Sequence, residues 1–324
     1  MTDNPLIVGL THRLPQSIEA RLADRYDLRL PVSEVPRSAL DIRALLATTD
    51  VLVCTVADPI REEDIPDAPR TRLIANYGVG VNHIDLGAAR SRGILVTNTP
   101  GVLTDATAEL AITLMLMVAR RASEGERELR AGKWAGWEPT HLPGMALTGR
   151  TLGIIGMGRI GSGTARRAAC GLGMKIEYYS RSAVPIERLG GFQATRVDDL
   201  DQLVRQVDVL SLHCPLTPET HHLIDARRLA LMQPHALLIN TARGAVVDEP
   251  ALAAALARGQ LGGCGLDVYE NEPAVHPAML EAQRAVLLPH MGSATIEART
   301  AMGERVLENI AAWERGERPP NVVT

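Results

Sequence analysis

Thr151-Leu152-Gly153-Ile154-Ile155-Gly156-Met157-Gly158-Arg159-Ile160-Gly161 sets a short apolar strand directly before a Gly-x-Gly-x-x-Gly turn and the start of a helix. Each glycine answers a physical need. Gly156 permits the tight turn, Gly158 lets backbone approach a pyrophosphate, Gly161 lets helix and strand pack closely, and the helix N-terminus faces the anion. The glycine spacing alone is a weak signal that an ordinary glycine-rich turn also satisfies. Strand, turn and helix in register point instead to a dinucleotide site, with Arg159 and Ile160 counted as part of it.

Outward from this stretch, strands and helices alternate. Downstream, the spacing predicts a helix over 160–171, strands over 175–179, 208–213 and 236–241, a helix over 249–259, and strands over 263–268 and 285–289. Upstream, strands are predicted over 6–10, 51–55, 72–76 and 94–98, with helix-like stretches such as 16–25 between them. This alternation is the βαβ signature of parallel, doubly wound sheets, so the fold class is α/β with two Rossmann-like domains. After Pro100-Gly101, one long helix is expected from Thr104 or Asp105 as N-cap to about Arg130, buried on more than one side. The last helical stretch, 294–316, has no strand after it and is expected to return to the first domain. The predicted division is therefore 1–100 with 292–324 as one domain and 101–291 as the other.

Composition fits such a fold. At roughly 150 residues per domain, the 324 residues suggest two domains. With 46% hydrophobic and 22% charged residues and a net charge of -4, neither intrinsic disorder nor an electrostatic grip on nucleic acid is indicated. Aromatic content is 3%, with Phe192 the single phenylalanine, so the core must be aliphatic, as in helix-covered parallel sheets. Cys54, Cys170, Cys214 and Cys264 form no CxxC pair and read as small apolar residues, so no zinc site, redox dithiol or metal dependence is expected. Met1-Thr2-Asp3-Asn4-Pro5 lacks the charged start of a signal peptide, and the longest apolar run, 110–119, is about half a membrane span. A cytoplasmic protein without a membrane partner is expected.

Past the glycines, an NAD-specific domain carries an acidic residue to hold the ribose 2′-hydroxyl. Here the second strand of the domain ends in Ser180-Arg181-Ser182. A guanidinium and two hydroxyls suit a 2′-phosphate, and nothing here repels it, so NADP(H) is the preferred cofactor with NAD(H) as the alternative. The competing reading of Arg181 is a solvated loop residue.

Three charged residues stand at predicted strand ends of the same domain, where such sheets bind ligands: Arg243, Glu272 and His290. Their types suit reduction of a 2-oxo acid. Arg holds a carboxylate as a fork, imidazole gives a proton to the carbonyl oxygen, and a carboxylate keeps that imidazole protonated. Taken singly, each has a plain alternative: a surface ion pair, a loop cap, a core histidine. Their separation in sequence is too large for spacing to show that they converge.

With these residues, the chain resembles the D-isomer-specific 2-hydroxyacid dehydrogenase family over essentially its whole length. The matching stretches are Tyr77-Gly78-Val79-Gly80, the glycine motif, Thr241-Ala242-Arg243-Gly244, Gly265-Leu266-Asp267-Val268 with Glu272-Pro273, and Pro289-His290-Met291-Gly292-Ser293. Within the family, Arg159-Ile160, Ser180-Arg181-Ser182 and Gly292-Ser293-Ala294-Thr295 are most similar to the glyoxylate/hydroxypyruvate reductases. The resemblance implies a flavodoxin-like substrate domain built from both termini around an inserted coenzyme domain. It also implies a homodimer formed through the long helix after Pro100.

Carried over by residue, the resemblance makes Arg243 the binder of substrate carboxylate and carbonyl, His290 the acid/base and Glu272 its partner. Gly78, Val79 and Gly80 would offer backbone N–H groups to the carboxylate, or form only a strand-to-helix turn. Thr104 is expected near the nicotinamide, or as a helix cap. Asp267 would accept from the carboxamide; Cys214, Pro215, Thr241, Ala242, Gly292 and Ser293 would line the cofactor cleft. Trp134 and Trp137 either shape a partner subunit's pocket or anchor an irregular loop. His141, His213, His221, His222, His235 and His276 lack matching context and are taken as structural or solvent-facing.

The reading is thus an NADPH-preferring reductase of glyoxylate- or hydroxypyruvate-like acids, with hydride delivered across a closing interdomain cleft. Alternatives are an NAD-linked dehydrogenase of lactate-like, phosphoglycerate or phosphite substrates, or a dinucleotide-sensing binding protein. The expected absence of a regulatory domain after residue 324 weighs against phosphoglycerate, and the retention of Arg243, Glu272 and His290 favours turnover over sensing.

Overall fold

A computed structural model describes residues 5–31, 38–185, 189 and 191–324. The chain divides into a unit of Met1–Leu103 with Ser293–Thr324 and a unit of Thr104–Gly292. In the first, β1 (Ile7–Leu10), β2 (Asp27–Arg29), β3 (Val51–Cys54), β4 (Leu73–Asn76) and β5 (Leu95–Thr97) form one parallel sheet in the order β2-β1-β3-β4-β5. That is the flavodoxin-like order. β3 and β4 are buried along their whole length, which is why they read as unbroken apolar runs rather than alternating ones. The helices α1 (Gln16–Ala23), α2 (Ala39–Thr48) and α3 (Leu86–Ser91) connect the strands. Ile42 and Leu46 of α2 and Ala88 and Ala89 of α3 pack with Leu52, Ile74 and Val96 in an aliphatic core.

The second unit begins with α4 (Thr104–Ala119) and α5 (Ala122–Arg130), then β6 (Thr151–Ile155), α6 (Arg159–Leu172), β7 (Lys175–Tyr179), β8 (Thr195–Arg196), α7 (Leu200–Gln206) and β9 (Val209–Leu212). It continues through α8 (Ala226–Leu229), β10 (Leu237–Asn240), α9 (Glu249–Ala257), β11 (Gly263–Leu266), α10 (Pro277–Glu281) and β12 (Ala285–Leu287). The parallel sheet runs β12-β11-β10-β9-β6-β7-β8, with the order reversing at β6 next to the glycine turn. Ala111, Leu114, Met115 and Val118 of α4 are buried against this sheet. Gly265 matters here, since a Cβ on it would lie 3.0 Å from Leu114 Cβ.

The single long helix expected over 104–130 is two. Arg121 takes a left-handed φ of 54° and breaks the helical backbone. Its guanidinium binds Glu124 through Nε at 3.1 Å and Nη2 at 2.6 Å, fixing the start of α5. α5 has no buried residue, so its amphipathic continuation in sequence carries no core. Thr104 is the first residue of α4, and Asp105 spends its carboxylate on Arg167 at 2.9 Å instead of capping.

The C-terminal helix, α11 (Ile296–Glu314), is capped by Thr295, whose hydroxyl accepts from Ala298 N at 3.1 Å. It packs on α1 of its own unit, where a Cβ at Gly303 would lie 2.4 Å from Ile18 Cγ1, so glycine permits the close helix approach. The chain then runs beside β5, with Val323 N donating to Val96 O at 2.8 Å. Among the described residues, no helix is long and apolar enough to cross a membrane.

Candidate active site

At the end of β6 the chain must turn within two residues, and Gly156 does so at φ 93°. A side chain there would lie 2.7 Å from Cys214 N and from the His213 carbonyl carbon, and one at Gly161 would lie 2.2 Å from Gly156 O. Sterics therefore require both glycines. Gly158 differs, because nothing lies within 4 Å of its Cβ position. It leaves open space in front of α6, whose N-terminus has no side-chain cap and so presents first-turn N–H groups to a ligand. Thr241 Oγ1, just after β10, is buried without a hydrogen-bond partner among the described residues. This donor set fits a dinucleotide's pyrophosphate and polar edge.

Ser180-Arg181-Ser182 follows β7, with Arg181 and Ser182 exposed. Ser180 Oγ donates to Ser182 O at 2.5 Å, and Arg196 of β8 reaches the Ser180 carbonyl at 3.4 Å. A second guanidinium thus borders the loop. Hydrogen bonding by Thr217 and, more weakly, the charge of Arg181 hold the Glu219 carboxyl below its ordinary range.

β10 ends in Asn240, 1% exposed, which braces the turn that carries Arg243. Its Oδ1 accepts from Ala242 N at 3.0 Å and its Nδ2 donates to Arg243 O at 2.9 Å. Arg243 Nη1 donates to Ala242 O at 2.7 Å. Gly244 follows against the β11 loop, where a Cβ would overlap Tyr269 C at 1.8 Å. Burial pulls the guanidinium below its usual range, and Glu272 acts against that pull.

His290 lies in the turn after β12 at a left-handed φ of 53°, which histidine tolerates better than most residues. Its Nδ1 is 2.7 Å from Glu272 Oε2. Glu272 Oε1 accepts from Tyr269 N at 3.0 Å, and the Glu272-Pro273 bond is cis. Burial opposes charge on Glu272, yet His290, the Tyr269 N–H and Arg243 outweigh it and hold the carboxyl below its ordinary range. The fold thus joins His290 to Glu272 and sets Arg243 within electrostatic reach. With Nδ1 engaged, Nε2 is the ring nitrogen left for a substrate.

The family model for "D-isomer specific 2-hydroxyacid dehydrogenase, NAD binding domain" matches residues 112–292. The chain belongs to the D-isomer-specific 2-hydroxyacid dehydrogenase family. It is similar to a glyoxylate reductase of Thermococcus litoralis, 45% identical over 98% of this chain and 96% of that one. A glyoxylate reductase of Korarchaeum cryptofilum is 43% identical over 98% and 95%. The solved NADPH-dependent glyoxylate/hydroxypyruvate reductase of Sinorhizobium meliloti, in complex with NADP and malonate, superposes with a TM-score of 0.84 at 32% identity, covering 99% of this chain and 97% of that one. The protein is accordingly an NAD(P)-dependent oxidoreductase of this dehydrogenase family.

Asp267, 1% exposed, accepts from Met291 N at 2.6 Å and Gly292 N at 2.7 Å, while its carbonyl accepts from His290 N at 2.9 Å. Gly292 O in turn accepts from Thr107 Oγ1 of α4 at 2.9 Å. Both carboxylate oxygens therefore hold the His290 turn, a role that the sequence reading of this dehydrogenase did not include. Burial raises the Asp267 carboxyl above its ordinary range despite those bonds. Cys214 meets the glycine turn through its backbone, and burial pushes its thiol up to about 11, so it is no nucleophile.

In the other unit, the Gly78-Val79-Gly80 loop has its carbonyls tied back. Asn76 Nδ2 donates to Gly78 O and Gly80 O at 3.0 Å each, Asn98 Nδ2 donates to Val79 O at 2.8 Å, and Thr99 N donates to Gly78 O at 3.0 Å. Gly78 N donates to Asn76 O at 2.9 Å, so Val79 and Gly80 carry the loop amides that face a ligand. Asn76 and Asn98 were not singled out from sequence; asparagine at the end of a strand, able to bond its own following backbone, was the available signal.

Trp134 and Trp137 are 52% and 82% exposed. Of the remaining histidines, His141 pairs with Glu128 at 3.0 Å and His235 with Asp208 at 2.7 Å. His221 and His222, left aside in the sequence reading, lie beside Glu270 as a group of adjacent ligand-type atoms, whereas no such cluster was legible along the chain.

Proposed function

We propose that this dehydrogenase reduces glyoxylate- or hydroxypyruvate-like 2-oxo acids to D-2-hydroxy acids, preferring NADPH to NADH, and works as a cytoplasmic homodimer. The observation that carries the reading is the 2.7 Å pair of His290 Nδ1 and Glu272 Oε2, with the Arg243 charge acting on the same carboxylate. The names of the relatives, several of them glyoxylate reductases, support the substrate class.

With the dinucleotide's pyrophosphate at the glycine turn, its nicotinamide would supply the hydride that adds to the carbonyl carbon. Arg243 holds the substrate carboxylate and polarises the carbonyl, and the N–H groups of Val79 and Gly80, in the turn that Gly78 opens, take the carboxylate of the same acid. As the carbonyl carbon gains the hydride, its oxygen takes the proton of His290 Nε2, giving the neutral alcohol and a neutral imidazole. Glu272 favours the protonated ring before the step and fixes its orientation. Gly156, Gly158 and Gly161 seat the pyrophosphate on the first turn of α6, with Arg159 and Ile160 in that turn. Ser180, Arg181 and Ser182 hold a 2′-phosphate, and Arg196 adds a second cation at the Ser180 carbonyl. Thr104, Cys214, Pro215, Thr241, Ala242, Asp267, Gly292 and Ser293 complete the cofactor surroundings. Trp134 and Trp137, exposed in one chain, are surfaces for the second copy.

Initial rates with glyoxylate, measured side by side with NADPH and NADH, test the proposal. Faster turnover with NADPH, reduced by about 10²–10⁴-fold in His290→Ala, is the expected result. Turnover with NADH alone overturns the cofactor preference, and no turnover with either overturns the substrate class. An NADPH to NADH ratio unchanged in Arg181→Ala would remove that residue from the 2′-phosphate site.

A further inference from the structure

His221, His222 and Glu270 each offer one ligand atom, and the three atoms lie within 4.8 Å of one another. The residues come from two segments, the loop after β9 and the loop after β11. His222 Nε2 is 2.8 Å from Glu270 Oε1, and the two imidazole rings stack with centroids 4.1 Å apart. We propose that this His-His-carboxylate cluster is a binding site for one divalent transition-metal ion of the zinc class, separate from the catalytic pair.

The donor chemistry selects the ion. Two imidazoles and one carboxylate suit zinc, cobalt, nickel or copper, whereas magnesium and calcium demand oxygen ligands. With metal–ligand bonds of about 2.0–2.2 Å, tetrahedral donors stand about 3.4 Å apart. The His222–Glu270 pair is already inside that distance, and the third donor, within 4.8 Å of the others, needs to move inward by at most about 1.4 Å, within the reach of side-chain torsions. Water fills the remaining coordination position.

The backbone under the ligands is fixed. His222, at a left-handed φ of 48°, donates its N–H to Ala245 O at 2.8 Å, and Glu270 N donates to the buried Glu249 Oε2 at 3.0 Å. His221 is exposed and the other two are half-buried, so an ion has an entry path. A bound ion would tie the loop after β9 to the loop that carries Glu272. It would thereby stabilise the folded chain by mass action.

Calorimetric titration of untagged, chelator-treated protein with zinc chloride reads the site. The expected result is one zinc per chain with a raised melting temperature. Affinity should fall at least about tenfold in His221→Ala and in Glu270→Gln, about 1.4 kcal/mol or more, and persist in His290→Gln. Cobalt bound to the wild type should give visible d–d bands that change in His221→Ala. Zinc binding unaltered in both Glu270→Gln and His221→Ala, binding lost only in His290→Gln, or no binding at all overturns the site. Circular dichroism shows which variants fold, and His222→Asn, which keeps a residue tolerant of left-handed backbone, serves in place of one that does not.

Discussion

Asn240 Nδ2 donates to the carbonyl oxygen of Arg243 at 2.9 Å, so a buried neutral amide at a strand end sets the direction in which the proposed substrate-binding guanidinium leaves the sheet. The same side chain accepts from Ala242 N, which closes the turn from both sides. Asn240→Ala would remove the acceptor of Ala242 N and leave the Arg243 carbonyl with only the longer bond from Val246 N at 3.2 Å. We expect a loss of about 1–3 kcal/mol in stability. Because Arg243 would lose its orientation, kcat/KM should also fall, by about 10²-fold. Urea unfolding and steady-state kinetics on the same preparation check both; full activity would show that Arg243 needs no such brace.

Gly244→Ala tests a harder constraint. An added methyl carbon would sit 1.8 Å from Tyr269 C and 2.3 Å from Glu270 N, both backbone atoms that cannot rotate away. The turn after β10 and the loop carrying Glu272 would have to separate. A cost of more than about 3 kcal/mol is expected, with low soluble yield or a melting temperature lowered by many degrees. The same change at Gly158, which meets nothing within 4 Å, should leave the melting temperature close to wild type and weaken dinucleotide binding instead. Comparing the two variants by thermal melting and cofactor titration separates packing glycines from a ligand-facing one.

Asp267 supports a prediction that distinguishes two roles. If its carboxylate acts by holding the Met291 and Gly292 amides, Asp267→Ala exposes two orphaned N–H groups and costs about 2–5 kcal/mol. kcat should fall with it as the His290 turn loosens, while the dissociation constant for the dinucleotide changes little. A large rise in that constant with an unchanged melting temperature would instead support a bond from Asp267 to the carboxamide.

What was legible in the sequence depended on the scale of the signal. β6, β7 and the glycine turn match their expected bounds because a buried apolar run, an alternating β-branched and aromatic strand and a required turn leave unambiguous residues. Asp27–Arg29 and Thr195–Arg196 were not picked out because short edge strands carry no apolar run. The helix break at Arg121 was hidden for a related reason. Helical periodicity continues across it, and a left-handed arginine held by Glu124 has no compositional mark. In the site, His290, Glu272 and Arg243 were found by residue type and motif. Their contacts span residues far apart in sequence, so distances and the supporting Asn240, Asn76 and Asn98 emerged only with the fold.

His213 gives the pH dependence its sign. It sits at the end of β9 with its carbonyl carbon against Gly156, its Nε2 is 2.9 Å from Ser211 Oγ, and burial pushes its pKa from 6.5 down to about 4. The unfolded chain therefore takes up a proton near pH 6.5 that the folded chain refuses until about pH 4. Stability from this residue is full above the higher value and is lost progressively as pH falls between the two. Because the side chain is partly reached by solvent, we expect about 1–2 kcal/mol from this residue alone. Urea unfolding of wild type and His213→Gln at about pH 7.5 and about pH 5 isolates it from the carboxylates that titrate lower. The wild type should lose more stability than the variant on acidification. An equal loss in both would show that the ring is protonated in the folded state already, and that the floor of the glycine turn holds a charge rather than a neutral imidazole.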